Sequence, residues 1–196
     1  MKPIKPGYIR VSEILSIVPS IISEKPTTFG YPLHNIDQTV LSNKADIGSS
    51  VHAAIDHQAK GDFFPLKESE QGYYNSYLQW AKFVELKPIE TELRLYEEGM
   101  KITGGIDMLA ILKGSPKWRL IDFKCTVSED AKKWSLQAAL YSMIIAQNDM
   151  GIMLDALFVK LDKNGEMPEV YEYKITNELQ VAALSFYNAY KYVTGK

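Results

Sequence analysis

The chain has 196 residues, of which 46% are apolar and 23% charged, the composition of an ordinary globular protein with one domain. Its apolar runs are shorter than the roughly 20 residues of a membrane helix, and its amino terminus lacks the apolar core of a secretory signal, so we expect a cytoplasmic protein. The net charge of −2 excludes a protein that covers duplex DNA nonspecifically through an excess of basic residues. It predicts that any nucleic-acid contact is confined to a local groove.

The N-terminal part of the chain is predicted to be irregular. In residues 1–45, five prolines surround one short helix at 11–17. Apolar residues at helical spacing then predict a helix over 46–60, which Gly61 ends. A second helix, with an aromatic stripe, is predicted over 69–86.

The period then changes to that of strands. The remaining elements are predicted in this order: strands at 89–97, 101–113 and 118–125, a helix over 129–148, strands at 152–161 and 169–175, and a last helix from a cap at Asn177 to Val193. Glu98-Gly99 marks the first hairpin turn, and Asn164-Gly165 is a strong signal for the second. This order of helices and strands predicts an α/β fold with a central mixed sheet flanked by helices.

Charged residues interrupt the third strand in a way that suggests chemistry. Because side chains alternate between the faces of a strand, Asp122 and Lys124 project together, away from their apolar neighbours. The preceding strand carries Gly104-Gly105-Ile106-Asp107. This sequence pattern suggests that Asp107 lies across from Asp122. Carboxylates beside a lysine suit a hard divalent cation that promotes phosphodiester cleavage, with Lys124 as a fixed positive charge.

Five sequence elements together resemble the PD-(D/E)XK nuclease superfamily, and within it the RecB-like exonuclease branch. They are Gly48-Ser49-Ser50-Val51-His52 as G-x-x-(V/I)-H, Glu92 on the strand before the core hairpin, Gly104 to Asp107 as G-x-x-D, Asp122 to Lys124 as D-x-K, and Gln137 with Tyr141 as Q-x-x-x-Y. Their order and spacings agree with those of the family. The arrangement is also similar to that of stand-alone phage exonucleases and of the mitochondrial genome maintenance exonuclease.

The resemblance implies a restriction-endonuclease-like αβββαβ core in a single nuclease domain, with residues 1–45 as an N-terminal helical extension and 46–196 as the core. It implies one or two Mg²⁺ or Mn²⁺ ions as cofactors. The residues that it implies as metal ligands are His52, Asp107, Asp122, Glu92 and the backbone carbonyl of Phe123. The residues that it implies as catalytic are Lys124, Asp107, Asp122 and Glu92. Gln137 and Tyr141 are implied to support the strands or the DNA.

The implied activity is that of a metal-dependent exonuclease acting on DNA ends or single strands in replication, recombination or repair. A phage origin would place it in the host cytoplasm, and any helicase partner would be a separate protein, since the chain has no helicase motifs. A single cysteine, Cys125, cannot supply the four ligands of an iron–sulfur cluster. The alternatives are a structure-specific endonuclease of the same superfamily and an inactive nuclease-derived DNA-binding or scaffold subunit.

Several positions keep more than one interpretation. Glu90 shares a strand face with Glu92 and is its rival as the site acid, although family position favours Glu92. Asp56 follows His52 by one helical turn and either orients its imidazole or is a solvated charge. The aromatic stripe of helix 69–86 fits a buried face better than a surface that stacks bases.

Overall fold

The fold is given by a computed structural model that describes residues 4–18, 38–115, 117–126, 130–151, 153 and 155–196, without the side chains of 38–45. Its helices and strands, in chain order, are β1 (Ile9–Arg10), α1 (Val11–Ile14), α2 (Gln38–Ala59), α3 (Glu68–Phe83), β2 (Lys87–Glu97), β3 (Ile102–Ile111), β4 (Arg119–Lys124), α4 (Ala131–Gln147), β5 (Asp155–Lys160), β6 (Glu169–Lys174) and α5 (Asn177–Thr194). A 3₁₀ turn, Leu15–Ile17, continues α1. Within the described ranges, every helix is too short or too polar to cross a membrane.

The strands form one mixed sheet in the order β1-β3-β4-β5-β6, with β2 paired to β3. β3 pairs with three strands, because β2 runs antiparallel along one of its edges while the other edge changes partner. Residues Met108, Leu109 and Ala110 pair with β4, whereas Ile102 and Thr103 pair in parallel with β1. β4 and β5 are parallel, and α4 connects them. The predicted α/β fold with a mixed central sheet is confirmed.

Helices cover both faces of the sheet and give it two hydrophobic cores. The α2–α3 core includes Val51 and Ile55 from α2, Tyr77 and Trp80 from α3, and Phe123 from β4. Its aromatic residues confirm that the stripe on α3 is a buried face. The α4–α5 core lies on the opposite face and collects most of the apolar residues of α1, α4 and α5.

β3 changes phase at Asp107. Ile106 and Leu109 both belong to the α4–α5 core, whereas Met108 belongs to the α2–α3 core. Regular alternation would put Ile106 and Met108, two residues apart, on the same face of the sheet. The strand therefore departs from regular alternation at Asp107, although its register with β2 is continuous there, with Thr91 opposite Met108 and Leu93 opposite Ile106. This departure lies beside the candidate site.

The structure departs from the predicted elements near the amino terminus and at one cap. The prediction that the chain is irregular up to residue 45 is wrong for 38–45, because α2 begins at Gln38. The segment 38–47 contains no proline or glycine, so nothing in it stops the helix, but its apolar periodicity is too weak to signal one. β1 was missed because two residues cannot show an alternation. Thr176, rather than Asn177, caps α5, since its hydroxyl accepts from the Leu179 N–H at 3.2 Å.

Candidate active site

The candidate site lies at the fork where β3 and β4 part. Met108 and Ile121 form the last pair between the two strands, and the next residue toward the fork on each strand is an aspartate, Asp107 and Asp122. The backbone N–H of Phe123 faces this fork and donates to Asp107 Oδ2 at 2.8 Å. A side chain thus takes the place of a backbone acceptor where the ladder ends. The predicted placement of Asp107 across from Asp122 agrees with this register.

His52 reaches the fork from α2. Its Nδ1 lies 3.4 Å from Asp107 Oδ1 and 3.8 Å from Glu92 Oε1. One ligand atom each from His52, Glu92 and Asp107 lies within 4.8 Å of the others. The structure therefore brings three of the predicted metal ligands together, from a helix and two neighbouring strands.

The second ring nitrogen of His52 fixes the tautomer of the neutral imidazole. Nε2 lies 3.0 Å from the backbone oxygen of Phe123, and a carbonyl oxygen can only accept, so Nε2 carries the hydrogen. In the neutral ring the lone pair of Nδ1 then points toward the two carboxylates. The Phe123 carbonyl, which the resemblance implies as a metal ligand, contacts His52 here.

The backbone of Glu92 is unusual for a residue within a strand. Its φ of 49° is in the left-handed region, which costs a non-glycine residue about 1–3 kcal/mol and persists only where the surroundings enforce it. The pairs on both sides, Thr91 with Met108 and Leu93 with Ile106, are intact. The rival acid Glu90 is exposed to solvent, so the structure places Glu92 at the site.

A second group of predicted site residues lies on the α4 side of the fork. Lys124 Nζ is 2.5 Å from Asp122 Oδ2 and donates to Gln137 Oε1 at 3.2 Å. The Gln137 amide nitrogen donates to Asp122 Oδ1 at 2.8 Å and to the Tyr141 hydroxyl at 3.0 Å. Gln137 therefore holds both the carboxylate and the ammonium group of β4. Asp122 stands outside the His52–Glu92–Asp107 group, beside its own cation.

Gly104 permits the close approach of α4 to this site. A Cβ atom at this position would lie 2.7 Å from Cε1 of Tyr141 and 3.2 Å from Cδ1 of Ile144. Because real Cβ atoms do not come so close to a buried ring, a side chain here would push α4 outward. Gly104 therefore allows α4 to pack closely on β3, so that Tyr141 and Gln137 reach the fork.

The electrostatics differ across the fork. Burial alone lowers the pKa of His52, but the negative charge of Asp107 and of the other carboxylates outweighs burial and raises the pKa to about 9. Burial and the charge of Asp107 raise the pKa of Glu92. Burial raises the pKa of Asp122 to about 6 against the attraction of Lys124. Burial would also raise the pKa of Asp107, but His52 and Lys124 keep it below its usual value. Glu92 and Asp122 are therefore costly to hold charged without a further cation, whereas His52 and Lys124 stabilise the charged form of Asp107.

The donor set fits a divalent cation. An imidazole nitrogen and carboxylate oxygens, already gathered in one place, are ligands that Mn²⁺ and, for the oxygens, Mg²⁺ accept. Asp122 Oδ2 is a buried carboxylate oxygen whose partner is Lys124 Nζ, 2.5 Å away. An atom of this kind is a further candidate ligand.

Asp56 does not orient His52, as one interpretation of the sequence had it. Both ring nitrogens of His52 already have other partners, while Asp56 accepts from the Thr91 hydroxyl at 2.5 Å and from Lys60 at 2.8 Å. Thr91 was not predicted as part of the site. The sequence carries no signal for it, because a threonine in a strand is ordinary.

Comparisons with known proteins agree with the fold. The sequence profile of the PD-(D/E)XK nuclease superfamily matches residues 66–187, more than half of the chain. The match contains Glu92, Asp107 and the β4–α4 residues, whereas His52 lies before it and is placed by geometry alone. No match is found among curated protein sequences.

Solved structures share this fold at low sequence identity. SSO0001 aligns with a TM-score of 0.53 at 13% identity, over 98% of this chain and 79% of its own. A proposed exonuclease from Eubacterium rectale aligns with a TM-score of 0.50 at 11% identity, over 93% and 77%. An alkaline exonuclease from Laribacter hongkongensis aligns with a TM-score of 0.48 at 10% identity, over 95% and 87%.

Proposed function

Because the chain belongs to the PD-(D/E)XK nuclease superfamily, we propose that it is a metal-dependent deoxyribonuclease that degrades DNA from ends or in single strands. The observation that carries the proposal is the convergence of His52, Glu92 and Asp107 within 4.8 Å, beside the Asp122–Lys124 pair. A role in replication, recombination or repair, in a phage or its host, fits this activity, and any unwinding would come from a separate helicase.

We propose that His52, Glu92 and Asp107 hold Mg²⁺ or Mn²⁺ from the α2 side, and that Asp122 and the Phe123 carbonyl complete the site. When bound, the ion neutralises the scissile phosphate and lowers the pKa of the attacking water. His52 contributes Nδ1, because its Nε2–H is held by the Phe123 carbonyl. The left-handed backbone at Glu92 aims its carboxylate at the same point.

Lys124 supplies a positive charge from the protein, in addition to the charge of the metal ion. Its ammonium group is only partly exposed and is fixed by Asp122 and Gln137, so it needs no reorganisation when charge develops on the phosphate. Tyr141 supports Gln137 through its hydroxyl. The net charge of −2 agrees with a substrate that is bound locally, at the fork.

The test is a nuclease assay on the full chain with Mn²⁺ or Mg²⁺. Substrates are end-labelled single- and double-stranded linear DNA and a covalently closed single-stranded circle. We expect the linear DNA to be degraded and the circle to remain intact, whereas cutting of the circle would indicate the endonuclease alternative. No degradation of any substrate with either ion would overturn the proposal and favour the scaffold alternative.

A further inference from the structure

A second contact joins α2 to β2 one helical turn from His52. Thr91 Oγ1 donates to Asp56 Oδ1 at 2.5 Å, in a half-buried position. Asp56 follows His52 by four residues, so both side chains lie on the same face of α2. Thr91 directly precedes Glu92 in β2. The helix and the strand are thus connected twice, by His52 with Glu92 and by Asp56 with Thr91.

This double connection is impossible for a regular strand. Neighbouring side chains in a strand point to opposite faces of the sheet, so Thr91 and Glu92 should not both reach one helix. They do so here because the backbone of Glu92 is left-handed, with φ at 49°. With the Thr91 side chain held against α2, the next side chain can turn to the same helix only through a distortion of this kind.

We infer that Asp56 and Thr91 are positioning residues whose hydrogen bond fixes β2 against α2, so that the left-handed backbone of Glu92 presents its carboxylate to His52 and Asp107. The inference rests on the proposed function, since it assigns the pair to the geometry of the metal site. Neither residue touches the metal or the DNA in this role. The bond sets the distance between two ligands that come from separate elements.

The charge state of Asp56 suits this role. Burial would raise its pKa, but hydrogen bonds from Lys60 and Thr91 outweigh burial and keep the pKa below its usual value. Asp56 therefore remains a charged acceptor, which makes its bond with the hydroxyl stronger than one between neutral groups. Lys60 Nζ lies 2.8 Å from Asp56 Oδ2 and 2.6 Å from Oδ1, so its charge also reaches the oxygen that accepts from Thr91.

The experiment measures Mn²⁺ affinity by calorimetry on the full chain, with thermal unfolding followed in parallel. Thr91→Val keeps the shape of the side chain and removes only the hydroxyl. We expect it to weaken Mn²⁺ binding about tenfold, the scale found when an outer partner of a ligand is lost. Thr91→Ser, which keeps the hydroxyl, should restore the wild-type affinity. Thr91→Ala repeats the test if the valine variant does not fold.

Two further variants separate positioning from general destabilisation. Thr103→Val removes the buried hydroxyl that donates to the Leu95 carbonyl at 2.7 Å in the same hairpin, and it should lower the melting temperature without changing Mn²⁺ affinity. Asp56→Ala together with Thr91→Val should be no worse than Asp56→Ala alone, because both variants break the same bond.

The outcomes also distinguish this inference from the proposed function. Wild-type Mn²⁺ affinity in Thr91→Val, or equal weakening in Thr103→Val, would overturn the positioning role while leaving the nuclease proposal intact. Absence of Mn²⁺ binding by the wild-type chain would overturn both.

Discussion

The two sides of the fork differ in how the negative charge of their carboxylates is balanced. On the α4 side, Asp122 has its own cation in Lys124, and Gln137 holds both groups. On the α2 side, Glu92 and Asp107 both approach one ring nitrogen, Nδ1 of His52. The α4 side is thus close to electrically complete, whereas on the α2 side two carboxylates share one imidazole, whose proton a metal ion must displace because its pKa is raised to about 9. The comparison indicates that the protein's own ion pair and hydrogen bonds orient the side chains on the α4 side, whereas a metal ion is needed to orient those on the α2 side.

The largest effect is expected from removing charge on the α2 side. Asp107→Asn keeps an oxygen for the Phe123 N–H and loses the negative charge. We expect Mn²⁺ affinity to fall by more than about a hundredfold, beyond the effect of losing an outer partner. Cleavage should fall by at least about a thousandfold. Calorimetry and the nuclease assay check both. An Asp107→Asn variant that still binds Mn²⁺ tightly would remove the distinction between the two sides.

The complementary change is on the α4 side. Lys124→Met keeps a chain of similar length against the Phe158 ring, which the Lys124 ammonium approaches at 5.2 Å, but removes the charge. We expect cleavage to fall by about a hundredfold to a thousandfold, as when an electrostatic stabiliser is lost. Mn²⁺ affinity should be unchanged or higher, because Asp122 loses its competing cation. Loss of metal binding in this variant would show that the two sides act as one.

A smaller effect is expected at the contact between β3 and α4. Gly104→Ala places a Cβ atom 2.7 Å from the Tyr141 ring, so it should destabilise the fold by about 1–3 kcal/mol, as overpacking does. Gly48→Ala is the matched control, since a Cβ there meets nothing within 4 Å among the described residues and α2 gains helix propensity. Chemical denaturation of both variants gives the comparison. Equal stabilities would mean that the Tyr141 ring moves aside freely.

The smallest effect is a pH dependence of metal binding. The pKa of His52 is raised to about 9, so below that pH the metal ion must displace a proton from the ring. Mn²⁺ affinity should therefore rise with pH, by at most about tenfold per unit between pH 7 and 8.5. Calorimetry in buffers of different ionisation enthalpy measures the released proton. A flat profile, or one unchanged in His52→Gln, would contradict the contact of His52 with the ion.

The sequence predicted the parts of the site that follow from local periodicity. Alternation in β4 put Asp122 and Lys124 on one face, and helical spacing put Gln137 and Tyr141 on another, and both placements match the structure. These predictions succeed because each depends on residues within a few positions of one another.

Two features that depend on distant residues could not be predicted. The left-handed backbone of Glu92 and the bond between Thr91 and Asp56 come from the packing of α2 on β2, which no local pattern encodes. The same reason explains why the sequence left open a role for Asp56 in orienting His52. Helical spacing brings these two residues close, but the tertiary fold gives each a different partner.

The most direct measurement is the anomalous scattering of Mn²⁺ in a crystal of the full chain. The account predicts an ion bound by His52 Nδ1 and by carboxylate oxygens of Glu92 and Asp107, with Lys124 still held by Gln137. An ion bound only by residues elsewhere in the chain, or a fork without manganese at concentrations that support DNA cleavage, would contradict it.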